Sequence, residues 1–385
     1  MNKKFFYLIA LCAVMVLSFT SCDKDEREMP PIPETPVIPE KPEEPEEPEE
    51  PEAPIVTSEY IYVLNSGNMG NNNATLSMYD LKENSVTKDI FEIRNGRRLG
   101  DTGQDIIVYG SKMYIAVFGE STIEITDLEA KSIKQIKTEG QPRYFATHGG
   151  KVYVTYYNGY VARIDTATLD VEAKVQVGRN PEQLTVSGNN LYVANSGGLD
   201  YSTEFGYDYT VSVVDLESFT ETKKIEVAIN PCNIVNDNNG SVYVVSIGNY
   251  EDVPNTLQKI DVSTGDVSVV EDFNGTYMAI SGDTLYTIYS QYDASWNQII
   301  TYYSYDVANN KILSDNFIGE SEIPTPYQLC TDATSEYLYI TSSDYVNDGS
   351  VYLFDKKRSE VVNKIGVGLN PMKVVIVSLD CFACK

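Results

Sequence analysis

Seven times along the chain, an apolar strand pattern carries a Tyr directly ahead of a β-branched or similar residue: Tyr62-Val63, Tyr114-Ile115, Tyr153-Val154, Tyr192-Val193, Tyr243-Val244, Tyr286-Thr287 and Tyr339-Ile340. After a loop of variable length comes a second strand, alternating apolar and polar, that ends in Asp: Asp80, Asp127, Asp165, Asp215, Asp261, Asp306 and Asp355. Alternation at period two marks a β-strand with one buried face. Successive Asp lie 38 to 50 residues apart, the length of one four-stranded propeller blade. No segment keeps a helical period. Between the units stand Pro-containing approaches, among them Gly140-Gln-Pro142, Gly178-Arg-Asn-Pro181, Asn230-Pro231, Pro324-Thr-Pro326 and Gly368-Leu-Asn-Pro371, each ahead of a short apolar strand. Pro fixes φ where the chain drops from the rim into an innermost strand.

The phase of the repeat closes the argument. The first unit has no inner strand ahead of Tyr60, and the last is followed by an extra one over residues 368–377. Placing that C-terminal strand innermost in the first blade closes the ring and removes an open sheet edge. The expected fold is all-β: a seven-bladed β-propeller over residues 55–385, closed by its C-terminal strand in the first blade.

Ahead of this body the pattern changes twice. Lys3 and Lys4 precede an apolar run from Phe5 to Leu17, shorter than the ~20 residues that a spanning helix needs and flanked like a secretory signal. The run ends in Phe19-Thr20-Ser21-Cys22, with Phe19 where such motifs ordinarily carry Leu. Small residues before a Cys suit lipoprotein processing, in which residues 1–21 leave and the Cys22 thiol takes the lipid. Asp23-Lys24-Asp25-Glu26 resembles the acidic export signal of Bacteroidetes lipoproteins. Residues 22–54 are then a tether, dominated from Pro30 by Pro and Glu. They have too few apolar side chains to pack, and polyproline geometry extends them to roughly 75 Å at about 3.1 Å per residue. The expected location is the outer membrane at the cell surface, with the lipid as the sole membrane contact.

Charge narrows the partners. The formal net charge is −27. Thirteen acids and three bases fall between Asp23 and Glu52, and the leader adds two lysines, so the body carries −19. That argues against nucleic acid and against an anionic membrane surface. Cys12 leaves with the leader and Cys22 is lipidated, which leaves Cys232, Cys330, Cys381 and Cys384 in a compartment that permits disulfides. Cys381 and Cys384, at the end of the chain with no strand-helix context, suit a terminal disulfide or two spare thiols better than redox work or zinc. His148 is the only His, which speaks against a His-based triad or a multi-His zinc site.

In a propeller, the loops from the second to the third strand of each blade and the approaches to the inner strands open on one face. Here those loops are long and rich in aromatics, whereas the turns of the other face are short Gly hairpins such as Gly149-Gly150. Exposed loop aromatics mark binding surfaces. The loops supply Tyr157, Tyr201, Phe205, Tyr207, Tyr250, Tyr292, Trp296 and Tyr345 as candidate ligand contacts. The approaches add Arg97, Arg143, Tyr144, Tyr277, Tyr327 and Gln328 near the axis. The Asp that recurs in every blade reads as a turn cap. Asp344 to Gly349 is too loosely spaced for a calcium loop, and Gly67 to Asn73 lacks the Lys of a phosphate loop. No acid pair, nucleophile or metal cluster is fixed by spacing. We therefore expect no catalytic cofactor, no metal and a protein that binds rather than catalyses.

Tyr192-Val-Ala-Asn195, with Val213-Val214-Asp215 and Gly178-Arg-Asn-Pro181, resembles the YVTN or YncE-like propeller family over about residues 59 to 378. The resemblance implies the propeller and says little of function, because folds host many functions. A lipidated propeller with an aromatic, polar top face further resembles the BtuG-like cobalamin-binding surface lipoproteins of Bacteroidetes. That implies a corrinoid (cobalamin) as ligand and an outer-membrane TonB-dependent transporter as partner. Tyr and Trp would lie on the faces and edges of the corrinoid, and Asn, Gln and Arg would meet its peripheral amides and the phosphate of its nucleotide tail. A glycan-binding or adhesion propeller is the alternative. A lactonase- or cyclotransferase-like enzyme would need a metal or an acid at the axis.

Overall fold

The computed structural model describes residues 56–237, 239–292, 295, 297–331 and 336–381. The signal segment, Cys22, the tether, Trp296 and Cys384 lie outside the described residues. Among the described residues no helix is long and apolar enough to cross a membrane.

The strands form seven four-stranded antiparallel sheets, the blades of a β-propeller. Blades 2 to 7 run in chain order from inner to outer strand, opening at Gly103, Pro142, Pro181, Pro231, Tyr277 and Pro326. In blade 1 the inner strand is Pro371–Cys381, which pairs with Val56–Asn65 and closes the ring as expected.

The repeated Tyr is explained by packing between blades. Tyr62, Tyr114, Tyr153, Tyr192, Tyr243 and Tyr339 are buried, and Tyr286 is half-buried. Tyr62 packs with Ile106 and Met113 of blade 2, and Tyr192 with Ile234 and Val242 of blade 5. A ring long enough to cross from one sheet to the next, on a residue suited to strands, fills the wedge between blades.

The repeated Asp caps the turn after the third strand in every blade. Asp80 accepts from the backbone N–H of Lys82, Asp127 from Glu129, Asp165 from Thr168, Asp215 from Ser218, Asp261 from Thr264, Asp306 from Asn309 and Asp355 from Lys357. Hydrogen bonds to the charged form hold the carboxyls of Asp215, Asp261 and Asp306 below the ordinary carboxylate value of 3.8. A depressed folded pKa contributes stability that is complete above the unfolded value and lost as pH falls through the folded one. Thermal melts from pH 7 to 3 are therefore expected to show a falling midpoint below about pH 4, the ordinary Asp range. Asn at these three positions should flatten that fall; an unchanged pH profile in the triple variant would count against the caps.

Two features depart from the sequence expectation. A six-residue helix, Ile90–Asn95, links blades 1 and 2 and buries Ile90 and Phe91. Less than two turns of helix cannot show a 3.6-residue period. In blade 6 the strands Thr284–Tyr292 and Gln298–Asp306 stay paired out to Tyr292 and Gln298. The long loop expected there is mostly hairpin, and Tyr289 lines an outer groove with Phe273 and Tyr303 instead of the top face.

Candidate functional site

The rim-to-axis approach positions the site. Asn180, Asn230 and Asn370, each directly before a Pro, have left-handed backbones with φ of 45°, 61° and 55°. Asn is among the few side chains that tolerate this region. Its amide then reaches a top-face loop: Asn180 donates to the Tyr157 carbonyl at 3.0 Å, Asn230 to Gly248 at 3.0 Å and Asn370 to Gly67 at 2.8 Å. Gly178 is required two residues earlier, because a Cβ there would lie 2.3 Å from the Asn195 side chain. The Gly-x-Asn-Pro motif is thus a clamp between inner strand and loop.

Directly after the clamp the pairing of the inner strand shifts. Bulges stand at the start of the inner strands of blades 1, 2, 3, 4, 5 and 7. A bulge re-aims its side chains. In these six blades the residue next to the first strand residue is re-aimed by the bulge: Met372, Gln104, Arg143, Glu182, Cys232 and Tyr327.

Two cavities open on the top face. The first, about 810 Å³, is lined by Tyr157, Glu182, Ser196, Tyr201, Tyr207, Asn230, Cys232, Tyr250 and Glu251 among others. The second, about 550 Å³, is lined by Tyr250, Tyr277, Ser290, Gln291, Tyr292, Gln298, Asp344 and Tyr345 among others. Tyr250 belongs to both, so the two make one trough over blades 3 to 7. Its volume exceeds that of one ordinary small-molecule pocket of ~300–1,000 Å³. The exposed aromatics among the described residues, Tyr201, Phe205, Tyr209, Tyr250, Tyr292 and Tyr345, all lie on the top-face loops of blades 4 to 7. Tyr201 and Tyr207 are stacked at 6.0 Å, and Tyr327 meets Tyr345 edge-on at 5.5 Å.

Arg143 anchors the near wall. Its Nε donates to Glu182 at 2.9 Å, and its Nη1 to Gln104 at 2.7 Å. Its guanidinium lies over the rings of Tyr157, Phe118 and Tyr144 at 4.8, 5.3 and 5.4 Å. Burial acts to lower the Arg143 pKa, and the Glu182 carboxylate with the neighbouring phenols outweighs it and holds the group above its usual range. Burial pushes the Glu182 carboxyl up while the guanidinium pulls it down. Burial likewise raises Tyr157 and Tyr327, each to about 12, so these phenols stay neutral donors.

Tyr157, Tyr201, Tyr207, Tyr250, Tyr277, Tyr292 and Tyr345 thus meet in the trough, with Phe205 exposed beside Arg179 at 5.8 Å. Tyr144 packs toward the blade 3–4 core, and Gln328 bonds the Met372 sulfur in the channel. Two expectations need correction. Arg97 does not stand at the mouth: it is tied to the buried Glu124 of blade 2 at 2.8 Å and lies over Phe91. The helix carries the chain around the outside of blade 2 before it turns inward. Nor is Arg143 a free cation for a phosphate, because Glu182 occupies it. The sequence places Glu182 near the axis, in an approach to an inner strand, but leaves out Ser196, Asn230, Cys232, Glu251 and Gln298. The position after the rim Pro is the signal that would have found Cys232. Cys232 and Cys330 are free thiols. Among the described residues no three His, Cys, Asp or Glu side chains come together as a metal site.

No family model matches the chain, and no curated protein matches it. Solved structures do. A candidate 6-phosphogluconolactonase of Bacteroides fragilis is 13% identical, with a TM-score of 0.59 over 83% of this chain and 98% of that one. Hydrazine synthase of Kuenenia stuttgartiensis is 14% identical, with a TM-score of 0.57 over 71% of this chain and 93% of that one. AztD of Citrobacter koseri is 10% identical, with a TM-score of 0.50 over 84% and 99%. At such identities these likenesses show the propeller fold alone.

Proposed function

We propose that this propeller captures a corrinoid, cobalamin, in the trough of its top face and passes it to an outer-membrane TonB-dependent transporter from a lipid anchor at Cys22. The observation that carries the reading is the trough itself: two cavities joined at Tyr250 and rimmed by exposed aromatics from successive blades. A ligand that fills it must be larger than one pocket, must offer apolar faces to Tyr rings and must offer polar groups to Asn, Gln and Ser. A rigid macrocycle rimmed with amides has those features, and rigidity limits the entropy lost on binding. The Pro/Glu tether suits a protein that must reach a partner in the membrane plane. The same reading makes the chain a binding protein without a catalytic cofactor.

The test is calorimetry with cyanocobalamin on protein that begins at Ala53. Tight one-to-one binding is expected. Because Tyr250 faces both cavities, Tyr250→Ala is expected to weaken it by about tenfold or more, the loss of roughly 2 kcal/mol typical of a central aromatic. No heat at micromolar concentration would end the corrinoid reading and turn the question to glycans on the same face.

A further inference from the structure

Among the described residues, two exposed carboxylates that line the trough, Glu251 and Asp344, have no ion-pair partner. The top-face loops of blades 4, 5 and 7 and the approaches of blades 5 to 7, residues 196–209, 227–230, 247–255, 270–276, 315–325 and 343–347, contain no Lys, Arg or His, whereas the approach of blade 4 carries Arg179. Of the acids in these stretches, Glu251 and Asp344 line the trough. Glu251 is exposed and lines the first cavity. Asp344 is exposed and lines the second, its carboxyl held to about 2 by the backbone N–H groups of Asn347 and Val346. Among the described residues, Arg143 and Arg179 stand beside the trough, and both are occupied. Arg143 is bound to Glu182. Arg179 is bound to Asp200 at 2.8 Å, with Asp208 at 3.6 Å. A cleft lined by one sign of charge with low-dielectric walls focuses its field on what enters. The exposed Tyr faces act in the same direction, since a ring face attracts a cation.

We propose that the trough selects by charge: it takes cationic ligands with flat aromatic or macrocyclic faces and turns away anionic ones of the same shape. The rule rests on the reading above for where the ligand sits, not for which ligand it is. Exclusion comes from unpaired like charge, a repulsive element that acts alongside attraction in setting specificity. A bound corrinoid would accordingly carry its phosphate outward, away from Glu251 and Asp344.

A matched pair of xanthene dyes tests the rule, rhodamine 6G as the cation and fluorescein as the anion, titrated into the full chain and followed by fluorescence anisotropy. Rhodamine 6G is expected to bind at least tenfold more tightly at an ionic strength of about 0.01 M, with the gap closing toward about 1 M as screening shortens to a few ångströms. Glu251→Lys is expected to shrink the gap about tenfold. Glu217→Lys, on the opposite face after the third strand of blade 4, controls for net charge and is expected to leave the gap in place. Equal binding of the two dyes, preference for fluorescein, binding of neither, or equal effects of the two Lys variants would each overturn the rule. Cyanocobalamin calorimetry on the same protein separates the outcomes: a dye gap without corrinoid binding removes the ligand and keeps the charge rule, and corrinoid binding without a dye gap does the reverse.

Discussion

Ending the chain at Leu369 is expected to open the ring and abolish a single cooperative melt. The strand Pro371–Cys381 pairs with Val56–Asn65 in continuous register from Val56 against Cys381 to Leu64 against Lys373. Its Val374 and Val377 are 3% and 2% exposed. Burying two such side chains is worth about 1.5–3 kcal/mol each, and a domain's whole stability is ~5–15 kcal/mol. Truncation also removes the Asn370 clamp on Gly67 and leaves the paired edge of Val56–Asn65 facing the channel. An unpaired edge is a template for aggregation. Circular dichroism melts and size-exclusion chromatography are the readouts, with a broad transition and oligomers expected. Moving residues 370–381 ahead of residue 56, so that both inner strands of the junction are continuous, is expected to restore the melt. A truncated protein that melts at the parent midpoint would show that closure carries little of the stability.

The ring was legible in the sequence because each of its causes repeats. The Tyr, the Asp cap and the rim Pro recur in blade after blade, and repetition separates a structural residue from an accidental one. The helix Ile90–Asn95 occurs once and is too short for periodicity, so it left no signal. The same rule explains the site. Loop aromatics such as Tyr201, Tyr250 and Tyr345 stood out because exposure of a large ring is costly in a loop and has few structural uses. Arg97 and Arg143 looked alike in the sequence, each in an approach to an inner strand. What separates them is the partner across a blade boundary, Glu124 for one and Glu182 for the other. Such pairing is non-local: Arg143 and Glu182 are 39 positions apart, and no local pattern records which carboxylate meets which guanidinium.

Arg143→Ala is expected to cost more stability than any other single change at the trough. The Arg143 and Glu182 side chains are 18% and 8% exposed, so the pair is desolvated and screened little by salt. Removing one member of such a pair strands the other charge, at about 3–5 kcal/mol. For a chain of this size that is a fall in melting midpoint of about 5 °C. The variant also leaves the Gln104 carbonyl without its donor and takes the cation from the rings of Tyr157 and Phe118. The pH dependence separates stranded charge from lost packing. Without the guanidinium, burial is opposed only by the hydrogen bond from Tyr157 and pushes the folded pKa of Glu182 further up. A raised folded pKa contributes stability that is present below the unfolded value and lost as pH rises through the folded one. The deficit of Arg143→Ala relative to the parent is therefore expected to be largest at high pH and to shrink as pH falls and Glu182 takes up a proton. Glu182→Gln in the same background removes the charge at every pH and is expected to recover most of the midpoint. A deficit that stays constant with pH and is not rescued by Glu182→Gln would mean that the ring stacking of Arg143, and not its charge, holds the near wall of the trough.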